Sequence, residues 1–279
     1  MRNNQARFGG QAHPGAVPQQ DPPSPGLAYV VPTEFVELPS RGIFYPDGHP
    51  LQNQETIEIK FMTAKDEDIL SSTALIKKGL VIDRLLGNLI IDSAIDPKDL
   101  LIGDRNAIMI AARISSYGSH YEVGIGCPQC LREVEYAFDL KKTNLNEDFF
   151  NEEFLKSNKV EFNSSLRAFE ILLPTSEKTV SVKMLTGYSE KNPNNEGEDE
   201  ESTVTTTLSS FIVAVEQNTD PITVQQFIEN MPASDSRYLR KLYPQLMPDI
   251  DLKQEFICEK CGDKRDLEVP LTSAFFWPE

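Results

Sequence analysis

Two Cys-x-x-Cys pairs, Cys127/Cys130 and Cys258/Cys261, contain every cysteine of the sequence, and 127 residues lie between Cys130 and Cys258. Each pair sits between runs of period two: Tyr121, Val123 and Ile125 lead into Cys127, and Val134, Tyr136 and Phe138 lead away from Cys130. Phe256 precedes Cys258, and Leu267, Val269 and Leu271 follow Cys261. Such alternation predicts a hairpin with a cysteine pair at its tip, made twice. Gly262 suits a turn that needs positive φ, and Pro128 with Gly124 and Gly126 is expected to serve the first turn. Two such turns offer four thiolates, which fill the tetrahedral shell that a structural zinc ion prefers. Closing the intervening loop costs on the order of 4 kcal/mol, while structural zinc supplies about 10–16 kcal/mol in model peptides. One zinc ion on Cys127, Cys130, Cys258 and Cys261 is therefore the expected cofactor.

Other uses of the cysteines fit less well. A redox dithiol belongs at the head of a helix in a βαβ setting, whereas both pairs here lie between strand-like runs. A catalytic zinc keeps an open position and draws on His or carboxylate ligands. Four cysteines are too sparse for a secreted disulfide scaffold. Of His13, His49 and His120, the last lies seven residues before Cys127 and is the one that could approach the metal, although an exposed turn explains it equally.

A length of 279 residues suits one compact body with an appended module. The formal charge of −16, from 43 acidic and 27 basic side chains, repels phosphate backbones and anionic membranes, so nucleic acid is not an expected partner. No stretch approaches the ~20 apolar residues of a membrane span, and no secretory signal opens the chain, which points to a reducing cytoplasm. Phosphate-cradling loops, nucleophile elbows and His-Glu-x-x-His motifs are all missing, and no catalytic residue is assigned.

Along the chain, residues 1–34 are rich in Pro, Gly and Gln and predict a flexible arm. Residues 35–118 predict a hairpin-like element followed by a helical body. A strand is expected at Ile57, Ile59 and Phe61, a helix capped at Thr63 and Asp66 and running to about Lys78, a second over Leu80 to Ile91, and a third capped by Asp104 and running through Ile114. The apolar run Ile108 to Ile114 reads as buried, and Arg113 within it as an arginine paired with a carboxylate. Residues 119–140 and 252–279 form a split zinc-ribbon-like module around a helix-rich α/β insertion, 141–251. In that insertion a helix is expected over Phe149 to Leu155, strands near Phe169 to Leu173 and Val180 to Leu185, and helices near Thr203 to Glu216, Val224 to Asn230 and Ala233 to Leu242. Residues 190–201 read as an exposed acidic loop, since they lack the ligand offsets of a calcium site. The fold class is thus α+β, a helical body with short antiparallel strands.

Several segments taken together resemble the baseplate hub proteins of T-even-type contractile-tailed phages. They are Leu38-Pro-Ser-Arg-Gly-Ile-Phe-Tyr-Pro46, Met62 to Leu70, Gly103-Asp-Arg, Ile114-Ser-Ser-Tyr-Gly118, both cysteine pairs, Pro232 to Arg237, Pro248 to Asp251 and Phe275-Phe-Trp-Pro278. The resemblance implies a noncatalytic hub subunit or assembly factor, made in the host cytoplasm, with other hub proteins as partners. Phe275, Phe276 and Trp277 form a large apolar cluster that must be buried or offered to a partner, and Arg237 and Arg240 form a basic patch that could meet one or begin an ion-paired helix. A zinc-ribbon regulator acting on nucleic acid or a polymerase is the alternative; it calls for a basic face that the net charge argues against. A redox enzyme stands third.

Overall fold

Alternation at Ile57 and Ile59 produces the first sheet. In the computed structural model, which describes residues 30–146, 149, 151–189, 203–270 and 275–276, strand β1 (Thr33–Glu37) pairs antiparallel with β2 (Thr56–Lys60). Val36 opposes Ile57 on the buried face, and Phe35 opposes Glu58 on the other, where the phenylalanine is 70% exposed. Helix α1 (Ala64–Leu70) starts where Asp66 accepts from the Thr63 amide and hydroxyl at 2.8 and 2.7 Å. The helix expected to reach Lys78 is instead two, α1 and α2 (Thr73–Lys77). Ser71 turns its hydroxyl back onto the Glu67 carbonyl, and the Ser72 carbonyl starts the next turn through Leu75 and Ile76.

Helices α3 (Val81–Leu89) and α4 (Ile102–Tyr117) complete this part. Asp104 does not cap α4. It lies inside the first turn, fully buried, and accepts from the Ser40 amide at 3.0 Å, the Ser40 hydroxyl at 2.6 Å and the Tyr45 hydroxyl at 2.7 Å. Burial raises its pKa above the ordinary carboxylate value in spite of these donors. Next to it Arg105 pairs with Asp83 of α3 at 2.9 Å, and Gly103 lies against the main chain of Pro248. Arg113 is buried as expected, but it has carbonyl partners where a carboxylate was anticipated: it donates to Phe275 at 2.6 Å, Gly118 at 2.9 Å and His120 at 3.3 Å. An arginine so placed satisfies main-chain acceptors at the C-terminal end of α4.

The chain then forms β3 (His120–Gly126), β4 (Glu133–Asp139), β5 (Asn144–Leu145) and α5 (Glu152–Ser157). A four-stranded antiparallel sheet follows, ordered β6 (Val160–Asn163), β7 (Ala168–Leu172), β8 (Thr179–Val182) and β9 (Ile212–Val215), with α6 (Val204–Phe211) between β8 and β9. The helix expected over Thr203 to Glu216 thus stops at Phe211, because the β-branched run Ile212-Val-Ala-Val215 pairs with β8. Helices α7 (Pro221–Glu229) and α8 (Ala233–Leu246) come next, then β10 (Ile250–Asp251), β11 (Lys253–Ile257) and β12 (Lys264–Glu268). The helix expected near Ala233 to Leu242 runs on to Leu246, with Pro244 inside it.

One hydrophobic cluster runs from Val36 to Phe276. Phe44, from the 38–46 loop, meets Phe149, Phe162 and Phe169 with ring centroids 5.4–5.9 Å apart, so the first part and the four-stranded sheet share a core. Short strand β5 pairs with β10, and the Asn146 amide donates to Asp249 at 2.8 Å. The two ends of the segment between the cysteine pairs therefore meet, which lowers the entropic cost of closing it. The residue types and this topology make the fold α+β with short antiparallel strands. The expected arm lies outside the described residues up to position 29, as does the acidic loop at 190–201.

A Cβ added to Gly103 would fall 1.9 Å from the Pro248 carbonyl, whereas one added to Gly126 meets nothing within 4 Å. Gly103→Ala is expected to lower stability by about 1–3 kcal/mol in urea unfolding, and Gly126→Ala by less than ~1 kcal/mol.

Candidate metal centre

Each cysteine pair closes a tight turn by the same main-chain pattern. The Leu131 amide donates to Cys127 at 2.8 Å and the Cys127 amide to Arg132 at 2.9 Å; the Gly262 amide donates to Cys258 at 2.8 Å and the Cys258 amide to Asp263 at 2.9 Å. The residue after the second cysteine is left-handed in both turns, with φ of 58° at Leu131 and 75° at Gly262. Glycine was legible at the second turn. At the first, Gly124 and Gly126 lie within β3, and a leucine carries the positive φ at a cost of roughly 1–2 kcal/mol.

The two turns face each other. Sγ of Cys127 lies 3.7 Å from that of Cys261, Sγ of Cys130 lies 3.9 Å from that of Cys258, and all four sulfurs fall within 4.8 Å of one another. These are not disulfides, whose sulfurs sit about 2.05 Å apart. Four sulfurs at about 2.3 Å from one tetrahedral ion would lie about 3.8 Å apart, so the cluster has the dimensions of a thiolate metal shell and could hold an ion. The cluster is anchored on one side: Cys127 and Cys258 are buried with Val134 and Phe256, while Cys261 is exposed.

Electrostatics shows what a cation would relieve. The Cys130 amide, helped by that of Gln129 and by neighbouring thiols, holds Cys127 down to about 7. The Asp263 amide acts in the same sense on Cys261, yet the water that its sulfur loses beside the other three thiols, and those thiols themselves, push that group up to about 12. Four thiols this close cannot all ionise unless a positive charge joins them. Arg265, bonded to Asp263 at 2.5 Å, lies close enough to Cys127 and Cys261 for their charge to raise its pKa, after the larger effect of Asp263. Its guanidinium would offset part of the excess negative charge that four thiolates leave on a divalent ion.

Side chains reinforce the junction. Gln254 of β11 accepts from the Asp139 amide at 3.2 Å and donates to the Asp139 carbonyl at 2.9 Å. The Tyr136 hydroxyl donates to Glu255 at 2.7 Å while its ring meets Phe256 edge-on at 5.0 Å. The Tyr121 hydroxyl reaches the Pro270 carbonyl at 3.0 Å.

The remaining candidate residues lie elsewhere. Phe275 and Phe276 are 2% and 5% exposed, with Phe275 against Tyr121 at 5.3 Å, so these two rings belong to the chain's own core. Trp277 lies outside the described residues. Arg237 and Arg240 are exposed on α8. Asp235 does not pair with them but holds the Thr175 and Ser176 amides at 2.9 Å each. His120 begins β3, about 23 Å along the chain from Cys127 at ~3.3 Å per residue, and does not join the sulfur cluster.

Leu131→Gly, which removes the strain at the first turn, should leave the unfolding free energy of metal-loaded protein, measured in urea, unchanged or raised by up to about 1 kcal/mol. Gly262→Val should lower it by about 1–2 kcal/mol, since a β-branched residue resists positive φ.

No helix among the described residues is long and apolar enough to cross a membrane. Comparison with curated proteins and with solved structures finds no match. Comparison with protein families matches the T4 bacteriophage base plate protein over residues 35–277, a span that includes both cysteine turns and the Ser40–Asp104 contact. The chain belongs to the T4 bacteriophage base plate protein family.

Proposed function

We propose that this baseplate protein is a noncatalytic structural or assembly component of the baseplate hub, and that one zinc ion held by Cys127, Cys130, Cys258 and Cys261 stabilises it. The observation behind the first half is the family match across residues 35–277, which supports a structural part in the tail baseplate assembled with other phage proteins; the hub itself is read from the resemblance of the segments between Leu38 and Pro278. The sulfur cluster carries the second. Zinc suits an all-thiolate tetrahedral set better than calcium or magnesium, which take oxygen ligands, and a shell filled by protein leaves no position for substrate. Segments 119–140 and 252–279 then work as one split module that brackets residues 141–251, and the metal makes the two hairpins one rigid end of the protein.

Quantitative mass spectrometry of purified tails and of baseplate assembly intermediates should find the chain in hub-containing particles. Its absence from every such particle would contradict the hub reading. Elemental analysis of purified protein should give about one zinc per chain. Cys258→Ser should lower that below half an equivalent and unfold earlier than the parent, because the closed shell is broken. Parent protein with little zinc, or a serine variant as stable as the parent, would refute the metal assignment.

A further inference from the structure

Strand β1 is the edge of its sheet, with β2 as its one neighbour among the described residues. The Phe61 amide donates to the Pro32 carbonyl at 2.9 Å, and the Leu38 amide donates to Glu55 at 2.8 Å. Main-chain groups alternate along an antiparallel pair, so those of Glu34 and Val36 face β2 while those of Thr33, Phe35 and Glu37 face outward. The outward groups have no hydrogen-bond partner among the described residues. Such an edge is a template for another strand. At its centre Phe35 is 70% exposed, on the face it shares with Glu37.

Charge along this edge has one sign. Glu34 and Glu37 of β1, and Glu58 beside Phe35 on β2, make no ion pair among the described residues. Lys60, opposite Thr33, is the one cation of the two strands. On the face away from Phe35, Oε1 of Glu34 is buried and has no hydrogen-bond partner. A buried acceptor left without a donor is costly, and a basic side chain on an added strand supplies one.

We propose that β1 accepts an antiparallel strand from another protein, with an apolar residue opposite Phe35 and basic residues opposite Glu34 and Glu37. Main-chain bonds to Thr33, Phe35 and Glu37 hold the strand, and the ring and the carboxylates select its sequence. A second copy of this chain does not fit that description. Pairing β1 with β1 about Phe35 sets Val36 opposite Glu34, which gives that carboxylate no donor, and brings together two chains of formal charge −16. No cysteine takes part, so a failed metal assignment leaves this contact untouched.

A dye-labelled peptide with the core Lys-Val-Val-Lys-Thr, flanked by serines, tests this by fluorescence anisotropy against the full chain at about 0.15 M salt. Its core runs antiparallel to β1, from opposite Glu37 to opposite Thr33. The parent should bind it with a dissociation constant below about 1 mM. N-methylation of the second valine, whose amide meets the Phe35 carbonyl, should abolish binding; on the first valine, whose amide points away, it should be tolerated. Phe35→Lys should keep the parent's urea midpoint, because the ring is exposed, yet bind at least about tenfold more weakly. Glu37→Lys should also weaken binding, and a peptide whose first lysine is glutamate should recover it on that variant. Four results would each overturn the proposal: no binding at roughly millimolar peptide, equal binding of the two methylated peptides, a Phe35→Lys variant that binds as the parent does, or exchanged charges that fail to recover. Self-association of the parent that Phe35→Lys abolishes would overturn it too, since a second copy would then hold the edge.

Discussion

The approach of four sulfurs to within 4.8 Å is the constraint on which this end of the molecule depends. A two-stranded hairpin is marginal alone in water, and β3–β4 and β11–β12 are both two-stranded. Tyr136, Phe256 and Gln254 join them through one small apolar cluster and a few hydrogen bonds. Without an ion, ionising more than one of four thiols this close brings like charges together. A divalent cation held there would turn that repulsion into a tie between the hairpins.

Helix α4 relates this end to the rest of the protein. At its start, Asp104 gathers Ser40 and Tyr45, Arg105 takes Asp83, and Gly103 admits the chain at Pro248. At its end, Arg113 takes carbonyls from Gly118, His120 and Phe275. The first strand of the first cysteine hairpin and the C-terminal segment are thereby tied to the same guanidinium. A buried guanidinium left without partners is costly, so the Phe275 carbonyl that helps satisfy the arginine is itself held against the end of α4.

Much of this was legible in the sequence because it is periodic or closely spaced. Alternation located β2, β3 and β4, and the matched Cys-x-x-Cys turns indicated that distant hairpins meet. Contacts between positions far apart in sequence were not legible: Asp104 reads as a cap until Ser40 and Tyr45 are seen around it, and Arg113 bonds to Phe275 across 162 positions. The run Ile212 to Val215 is apolar enough to extend a helix, and its pairing with β8 alone makes it a strand. Leu131 could have been found by aligning the two turns, since its twin is Gly262.

The measurement that bears most directly on the central claim is X-ray absorption at the zinc edge of the purified, full-length protein. A metal shell built from Cys127, Cys130, Cys258 and Cys261 predicts four sulfur neighbours at about 2.3 Å and no light-atom ligand. A first shell containing nitrogen or oxygen, or protein that carries no zinc, would contradict it.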